Sequence, residues 1–553
     1  MENSELKIIP LGGLGEIGMN MTVMEYGDSI IVIDSGLMFP EDYMLGIDIV
    51  IPDITYLREN RERVKAFFIT HGHEDHTGAL PFVLRDINVP IYGTTLTLGL
   101  IKEKLKEHDL DEKVDLRRVR PRDKVRVGQF EVEFIRVSHS IVDGCGLAIT
   151  TPLGTVIHTG DFKMDQTPVD GEVIDYARFS AHGEAGVLLL MSDSTNVERE
   201  GFTISEREVG SSFEEIFSRS TGRIIVATFS SNIHRIQQVI DVASRLSRKV
   251  ALNGRSMVAN VRIARELGYL KAPDDAFIDV KEMADLPGDR IALITTGSQG
   301  EPMSALTRMA MDDHKQIKVV PGDTVILSSK FIPGHEKAIS SMMNHLCRRG
   351  AEVIYEKVSE IHVSGHASRE ELKIMLNMVK PRYFIPVHGE YRHLVRHGRL
   401  AVSVGVAGEN VIIAEDGDVV TFTEGGASKT GRVECGKVLV DGKGVGDVGK
   451  MVLKDRMHLA QDGIVLVVLS LNEKTGEVVY GPDVITRGLV LEELSAELIA
   501  GARTAVIDTL AGLNVETRTD QLEVKEEIKK CLRRFFNKAL ERRPVILPVV
   551  IEI

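Results

Sequence analysis

The sequence has only four cysteines, Cys145, Cys347, Cys435 and Cys531, and none forms a CxxC pair. A disulfide framework is therefore not expected, and a reducing compartment is. Long apolar runs are missing too. Stretches 187–191 and 464–469 are strand-sized, far short of the roughly 20 residues a membrane helix needs. Residues 1–5 are acidic and polar, unlike the basic start and apolar core of a secretory leader, so a cytoplasmic location is expected. There are no repeats and no low-complexity tracts. An excess of positive charge is also lacking: the net charge is −14, which argues against a protein that coats nucleic acid. It leaves room for an enzyme with a local groove, because bound divalent metals are themselves large positive charges.

What is present is a soluble composition, 43% hydrophobic and 27% charged over 553 residues, a length that calls for three or four domains. Short apolar runs at 29–34, 64–70, 131–137, 155–158 and 187–191 each read as a buried strand delivering His or Asp at its C-terminal end. Loops held by a rigid sheet are where such folds build sites. From 206 to 360 the pattern changes to alternating strands and helices, for example 223–228 then 233–246, and 291–296 then 303–311. His-bearing strand ends return at 361–366 and 383–390. The expected organisation is a metal-binding domain at 1–205 and 361–415, interrupted by an inserted domain at 206–360. A Gly-rich linker with short strands is expected at 416–450. A small α+β domain follows at 451–553, read as strands 463–472 and 478–489, helices 492–510 and 521–541, and a final strand 545–553.

The chemistry concentrates in His71, Gly72, His73, Glu74, Asp75, His76. Imidazole and carboxylate at this density suit zinc or manganese. His71 and His73 alternate at a strand end and can face one ion. Asp75 and His76 follow on a turn and can face a second, in a clamp with ions about 3.5–4 Å apart.

This motif resembles the signature of the metallo-β-lactamase superfamily, which implies an αββα sandwich. The resemblance assigns further roles one residue at a time. Asp34 would hold a ligand imidazole from behind. His139, between Ser138 and Ser140, would complete the ion of His71 and His73. Asp161, in His158–Phe162, would bridge both ions. His388 would complete the second ion with Asp75 and His76. The gap of more than two hundred residues between Asp161 and His388 resembles the β-CASP group, which acts on nucleic acids and carries an inserted domain there. Asp193, in the string Ser192, Asp193, Ser194, Thr195, Asn196, and His366, in Ser364, Gly365, His366, match that group's extra motifs. Within it the chain is similar to bacterial ribonuclease J over residues 6–415, and the tail matches that family's C-terminal domain. The early string Gly12, Gly13, Leu14, Gly15, Glu16, Ile17, Gly18 also belongs to the likeness. It lacks a Walker lysine, so a tight turn is expected there rather than a nucleotide loop.

The resemblance implies a metal-dependent ribonuclease with 5′-to-3′ exonuclease and endonuclease activity, acting in RNA maturation and decay. Two divalent ions would supply a nucleophilic water near neutral pH. His73 and Asp75 carry the centre, with Asp75 also placed to orient that water. His366 either protonates the leaving oxygen or stabilises phosphate charge. A seat for a 5′ monophosphate is implied at Ser231, Asn232 and Ile233, where a helix N-terminus favours anions, and at His362, Val363, Ser364, Gly365 and His366, where backbone N–H groups form a nest. Family likeness also places a separate cation, calcium, at Gly46, Asp48 and Asp441; two ordinary turn aspartates fit the residues equally. The basic residues of 113–126 read either as an RNA-facing patch or as a solvated face. RNA, other RNA-decay proteins and a homodimer or homotetramer through the C-terminal domain are the implied partners. Two other readings stay open: a different two-metal hydrolase (DNA nuclease, thioesterase, lactonase) and a non-catalytic RNA-binding subunit. The intact ligand set argues against the subunit, and the insertion argues against the small-molecule hydrolases.

Overall fold

The computed structural model describes residues 5–301, 303–329, 335–356, 361–442, 444–489 and 495–553. They fall into two compact units, Met1–Phe39 with Ile49–Val438, and Pro40–Asp48 with Leu439–Ile553.

The first unit is built on two sheets packed face to face. One runs in the order Gly426–Arg432, Asp418–Thr423, Leu6–Gly12, Met21–Tyr26, Ser29–Ile33, Val64–Phe68, Ile91–Gly93, Leu116–Arg118. The other runs Tyr383–Val387, Val187–Asp193, Gly154–His158, Cys145–Thr151, Phe130–Arg136, Lys124–Val127. Alternate side chains meet between them: Ile31, Ile33 and Phe68 from the first sheet bury against Phe134, Leu147, Met191 and Ile385 from the second. The other face of the second sheet is covered by helices Tyr176–Ala185, Arg369–Val379 and Tyr391–Ser403, whose Phe179, Met375, Leu376 and Leu400 share a core with Ile157, Leu190 and Phe384. Because the side-chain period of a strand is two, this double packing fixes register, and with it the residue that leaves each strand end.

Between Glu206 and Ile361 the chain forms a third sheet, in which every described pairing is parallel: Phe277–Ile278, Lys249–Asn253, Ile291–Thr295, Ile224–Ala227, Thr324–Leu327, Glu352–Ile354. Its central strands, Ile-Ile-Val-Ala and Ile-Ala-Leu-Ile-Thr, are apolar throughout, as strands with both faces covered must be. Helices Glu206–Arg219, Ile233–Arg245 and Arg255–Glu266 cover one face, and Ala305–Ala310 and Glu336–Arg348 the other. The core on the first face also takes in Leu96, Ile141 and Val142 of the sandwich, and Ile361 and Val363 at the return crossing.

The short strands expected within 416–450 are present, but those at 418–432 are not part of a linker. Asp418–Thr423 pairs antiparallel with Leu6–Gly12, and Gly426–Arg432 pairs with it in turn, so residues 418–432 are the edge of the first sheet.

In the second unit, strands Val478–Arg487, Ile464–Leu471 and Val545–Glu552 form a sheet whose last pair is parallel. Helices Ser495–Ala511 and Gln521–Leu540 pack on one face through Val465, Val467, Leu469, Val506, Ile528 and Leu532. The first residues of the helix expected at 492–510 lie outside the described residues. Helix Lys450–Asp462 was not expected; it buries none of its side chains, so it has no apolar stripe to read.

In the basic segment 113–126, four of the seven cations are ion-paired. Arg117 pairs with Asp115, Arg122 with Asp175, and Lys124 and Arg126 with Glu131. Lys113, Arg118 and Arg120 are exposed.

Candidate metal centre

Five strand ends and two loops converge on one point. After Val64–Phe68 the chain passes Ile69 and Thr70 and presents His71 and His73. Helix Glu74–Thr77 then turns Asp75 and His76 inward. His139 follows strand Phe130–Arg136, and Asp161 follows Gly154–His158. Asp193 ends Val187–Asp193, and His388 follows Tyr383–Val387. Asp34 and His388 sit in left-handed backbone conformations (φ 61° and 54°), a local strain of the kind concentrated at functional sites.

Three groups of candidate ligands result, the third being Asp161, Asp193, His366 and His388. His71, His73 and His139 form the first and Asp75, His76, Asp161 and His388 the second, the ligating atoms of each lying within 4.8 Å of one another. Asp161 stands beside both: Oδ2 is 3.3 Å from His76 Nε2, 3.8 Å from His71 Nε2 and 3.7 Å from His139 Nε2. In the first group burial holds His71 and His139 well below the usual imidazole range and His73 down to about 4. These rings are neutral and offer lone pairs, with His73 Nδ1 3.1 Å from both His71 Nε2 and His139 Nε2. In the second group burial opposes charge on Asp75 and Asp161, yet His76 and His388 hold both carboxyls well below their usual range. Reciprocally, the surrounding carboxylates outweigh burial and raise His76 strongly and His388 to about 10. Crowded neutral imidazoles beside carboxylates that demand positive charge are a donor set suited to divalent ions.

The groups behind the ligands are ordered as well. Asp34 accepts from Thr70 N–H and Thr70 Oγ1, each at 2.8 Å, and lies 2.8 Å from His76 Nδ1. Thr70 Oγ1 is 3.0 Å from His71 Nδ1. Asp193 Oδ2 is 2.8 Å from His366 Nδ1, and this carboxylate overcomes burial to raise the His366 pKa. His366 keeps 20% of its side chain exposed, against 2–4% for His71, His76, His139 and His388; His73 is likewise only half-buried. Gly365 passes directly over His139: a Cβ there would lie 2.6 Å from the imidazole and 2.9 Å from Ser140 N.

The sequence reading missed Thr70, Thr195 and Asn196. Thr195 Oγ1 is 2.9 Å from His388 Nδ1 and donates to His388 O at 3.0 Å. Asn196 donates to Ser364 Oγ and His366 O. All three lie inside strings already singled out; nothing local marks which hydroxyl or amide turns inward.

At the expected phosphate seat, Asn232 caps helix Ile233–Arg245, its side chain accepting from Arg235 N–H at 3.0 Å. Ile233 and Val363 are core residues at 1% and 2% exposure, so only their backbones face a ligand. Ser364 is buried and accepts from Asn196 and from His366 N–H; His362 is half-buried. Among the residues proposed for a separate cation, Asp48 accepts from Gly442 N–H at 2.8 Å. Asp441 pairs with Arg456, which also donates to Leu45 O beside Gly46.

Two stacked sheets with this His and Asp set at their strand ends, split by a parallel-sheet insertion, define a metallo-hydrolase of the metallo-β-lactamase type with a β-CASP domain. Family models match accordingly. They are the metallo-beta-lactamase superfamily at 14–193, the ribonuclease J beta-CASP domain at 221–346, the Zn-dependent metallo-hydrolase RNA specificity domain at 350–414, and the ribonuclease J C-terminal domain at 451–553. Ribonuclease J2 of Bacillus subtilis is 44% identical over 100% of both chains. Ribonuclease J of Thermus thermophilus is 44% identical over 99% of this chain and 95% of its own. Ribonuclease J of Helicobacter pylori strain 26695 is 42% identical over 98% and 79%. A solved structure from Enterococcus faecalis, titled a protein of unknown function, shares the fold with a TM-score of 0.55 at 17% identity, covering 76% of this chain and 100% of its own. The chain belongs to the ribonuclease J family.

Proposed function

We propose that this protein is a metal-dependent ribonuclease that degrades RNA 5′ to 3′ from a monophosphorylated end and also cleaves internally. The observation that carries the reading is the meeting of two ligand groups at Asp161, beside an ordered Ser364–His366 turn. His71, His73 and His139 would hold one ion and Asp75, His76 and His388 the other, with Asp161 shared. Zinc or manganese fits the nitrogen-rich set, and a bound pair supplies a water of lowered pKa and positive charge for the phosphate oxygens. Asp75 orients the attacking water. Asp193 fixes His366 through Nδ1 and favours its protonated form, so its other nitrogen either carries a proton to the leaving oxygen or stabilises charge on the phosphate. The N-terminus of helix Ile233–Arg245 and the Ser364 turn receive the terminal phosphate.

Exonuclease rates on one RNA sequence should rank 5′ monophosphate above both 5′ triphosphate and 5′ hydroxyl. A hydroxyl end lacks the anchoring charge, and positioning accounts for several kcal/mol of barrier. Ser364→Ala should erode this preference more than it slows internal cleavage. Equal rates on all three ends would defeat the seat while leaving the metal centre in place.

No helix among the described residues is long and apolar enough to cross a membrane, and we place the enzyme in the cytoplasm. Self-association through the C-terminal unit follows from its sheet. The face away from the helices carries Leu547 at 50% and Ile551 at 46% exposure, and a small domain gains by covering such a face with a second copy. A chain ending at Val438, which keeps the edge strands of the first sheet, should lose oligomer mass in light scattering. Retention of the parent mass would count against this interface.

A further inference from the structure

The inserted sheet joins the sandwich at two chain crossings, at Glu206 and at Ile361, and a single buried ionic chain touches both. Arg235, third residue of helix Ile233–Arg245, is fully buried. Its Nε donates to Glu206 Oε1 at 2.7 Å. Its Nη1 donates to Ser328 O at 3.1 Å, to Ser328 Oγ at 2.6 Å and to Ile361 O at 3.0 Å. Glu206, 3% exposed, opens the first helix of the insertion and lies 3.7 Å from Lys163 Nζ. Lys163, 2% exposed, follows Asp161 by two residues, and its N–H donates to Ser138 O at 2.7 Å, next to His139. Asp165 completes the set, 3.3 Å from Lys163 Nζ and accepting from Glu206 N–H at 2.9 Å.

Stability alone does not call for this arrangement. Buried ion pairs replaced by apolar residues of similar volume are often as stable or more so. What a buried guanidinium provides is geometry: a rigid planar fork that fixes several acceptors at once. Here the acceptors belong to the insertion's entry helix, to the end of its strand Thr324–Leu327 and to the backbone that runs on to Ser364 and His366. The lysine end is fixed to the loops of two metal ligands.

We propose that Arg235, Glu206 and Lys163 form a positioning relay that sets the register between the 5′-phosphate seat and the metal centre. This rests on the reading of Ser231, Asn232 and Ser364 as that seat. None of the three touches RNA; they act through the helix start and the segment leading to Ser364. A terminal phosphate held in a displaced seat presents the first linkage off-line, and a 1 Å misplacement costs on the order of 10²-fold in rate. Internal cleavage does not use the seat and does not depend on this register.

The test uses full-length, metal-loaded protein and one RNA sequence in two forms, linear with a 5′ monophosphate and covalently circular. Glu206→Gln keeps the shape and removes the charge. Arg235→Met removes the fork, and Arg235→Lys restores charge without the fork. The relay predicts that kcat on the linear RNA falls about tenfold or more in Glu206→Gln, Arg235→Met and Arg235→Lys, with metal content unchanged and circular-RNA cleavage within about twofold of the parent. A parallel fall on both substrates, a loss of bound metal, or no change on either overturns it. If Arg235→Met does not fold, Glu206→Gln decides alone. If the parent itself degrades monophosphate and hydroxyl ends equally, the seat fails and the relay with it; if the parent discriminates and the variants fall equally on both RNAs, only the relay fails.

Discussion

His73→Ala and Asp75→Ala are each expected to lose RNA cleavage by at least about 10²-fold, the scale of removing one group that stabilises transition-state charge, while the fold persists. His73 is only half-buried and the Asp75 side chain is 31% exposed. The strand that delivers them is anchored by Ala66, Phe67 and Phe68, none of which is exposed. Neither ligand contributes to that packing, so circular dichroism and melting temperature should stay near the parent's. Bound metal, measured by mass spectrometry, should fall: His73→Ala removes one of three imidazoles from the first group, and Asp75→Ala a carboxylate from the second. If both variants cleave RNA at the parent rate, the centre has been misplaced.

Chelation is expected to abolish activity, and manganese or zinc to restore it. Reloading should also release protons. Without an ion, the Asp75 and Asp161 carboxylates hold His76 far above the usual range and His388 at about 10, so both rings are protonated at neutral pH and must deprotonate to become ligands. Metal affinity should therefore weaken as the pH falls. In calorimetry at pH 7 the apparent enthalpy of reloading should depend on the ionisation enthalpy of the buffer. Bound ions also stabilise the native state by mass action, about 2.7 kcal/mol at a hundred times Kd, so the chelated protein should melt earlier. Full nuclease activity in protein with no detectable metal would remove the two-ion reading.

The sandwich was legible because its strands are short apolar runs ending in ligating residues: the strings at 29–34, 64–70 and 383–387 correspond to strands Ser29–Ile33, Val64–Phe68 and Tyr383–Val387. The insertion was legible from the change of period. Less legible were features that depend on distant partners. Strand Asp418–Thr423 exists because Leu6–Gly12 offers it an edge, and no local pattern announces a partner some four hundred residues away, a separation also seen between Leu14 and Asp416 (402 residues). The Gly365 contact with His139 spans 226 residues. The ionic chain of Arg235, Glu206 and Lys163 spans 72 positions, and no spacing in the sequence joins them. Helix Lys450–Asp462 was invisible for the opposite reason, since it buries nothing that would leave a stripe.

The insertion also sets a schedule. His388 meets Asp75 across 313 residues, and its strand Tyr383–Val387 adds beside Val187–Asp193, so the second ligand group stays open until the whole inserted sheet has been synthesised. A growing chain that has emerged as far as Asp161 already carries the first group, yet has no His388 and no His366. Domains tend to fold in order as they leave the ribosome, and here His388 emerges after the whole insertion, with helix Tyr391–Ser403 and strands Asp418–Thr423 and Gly426–Arg432 still to follow. If the proposed centre is the one that cuts RNA, the enzyme is translated from a message, on a ribosome, in a form that cannot yet assemble it.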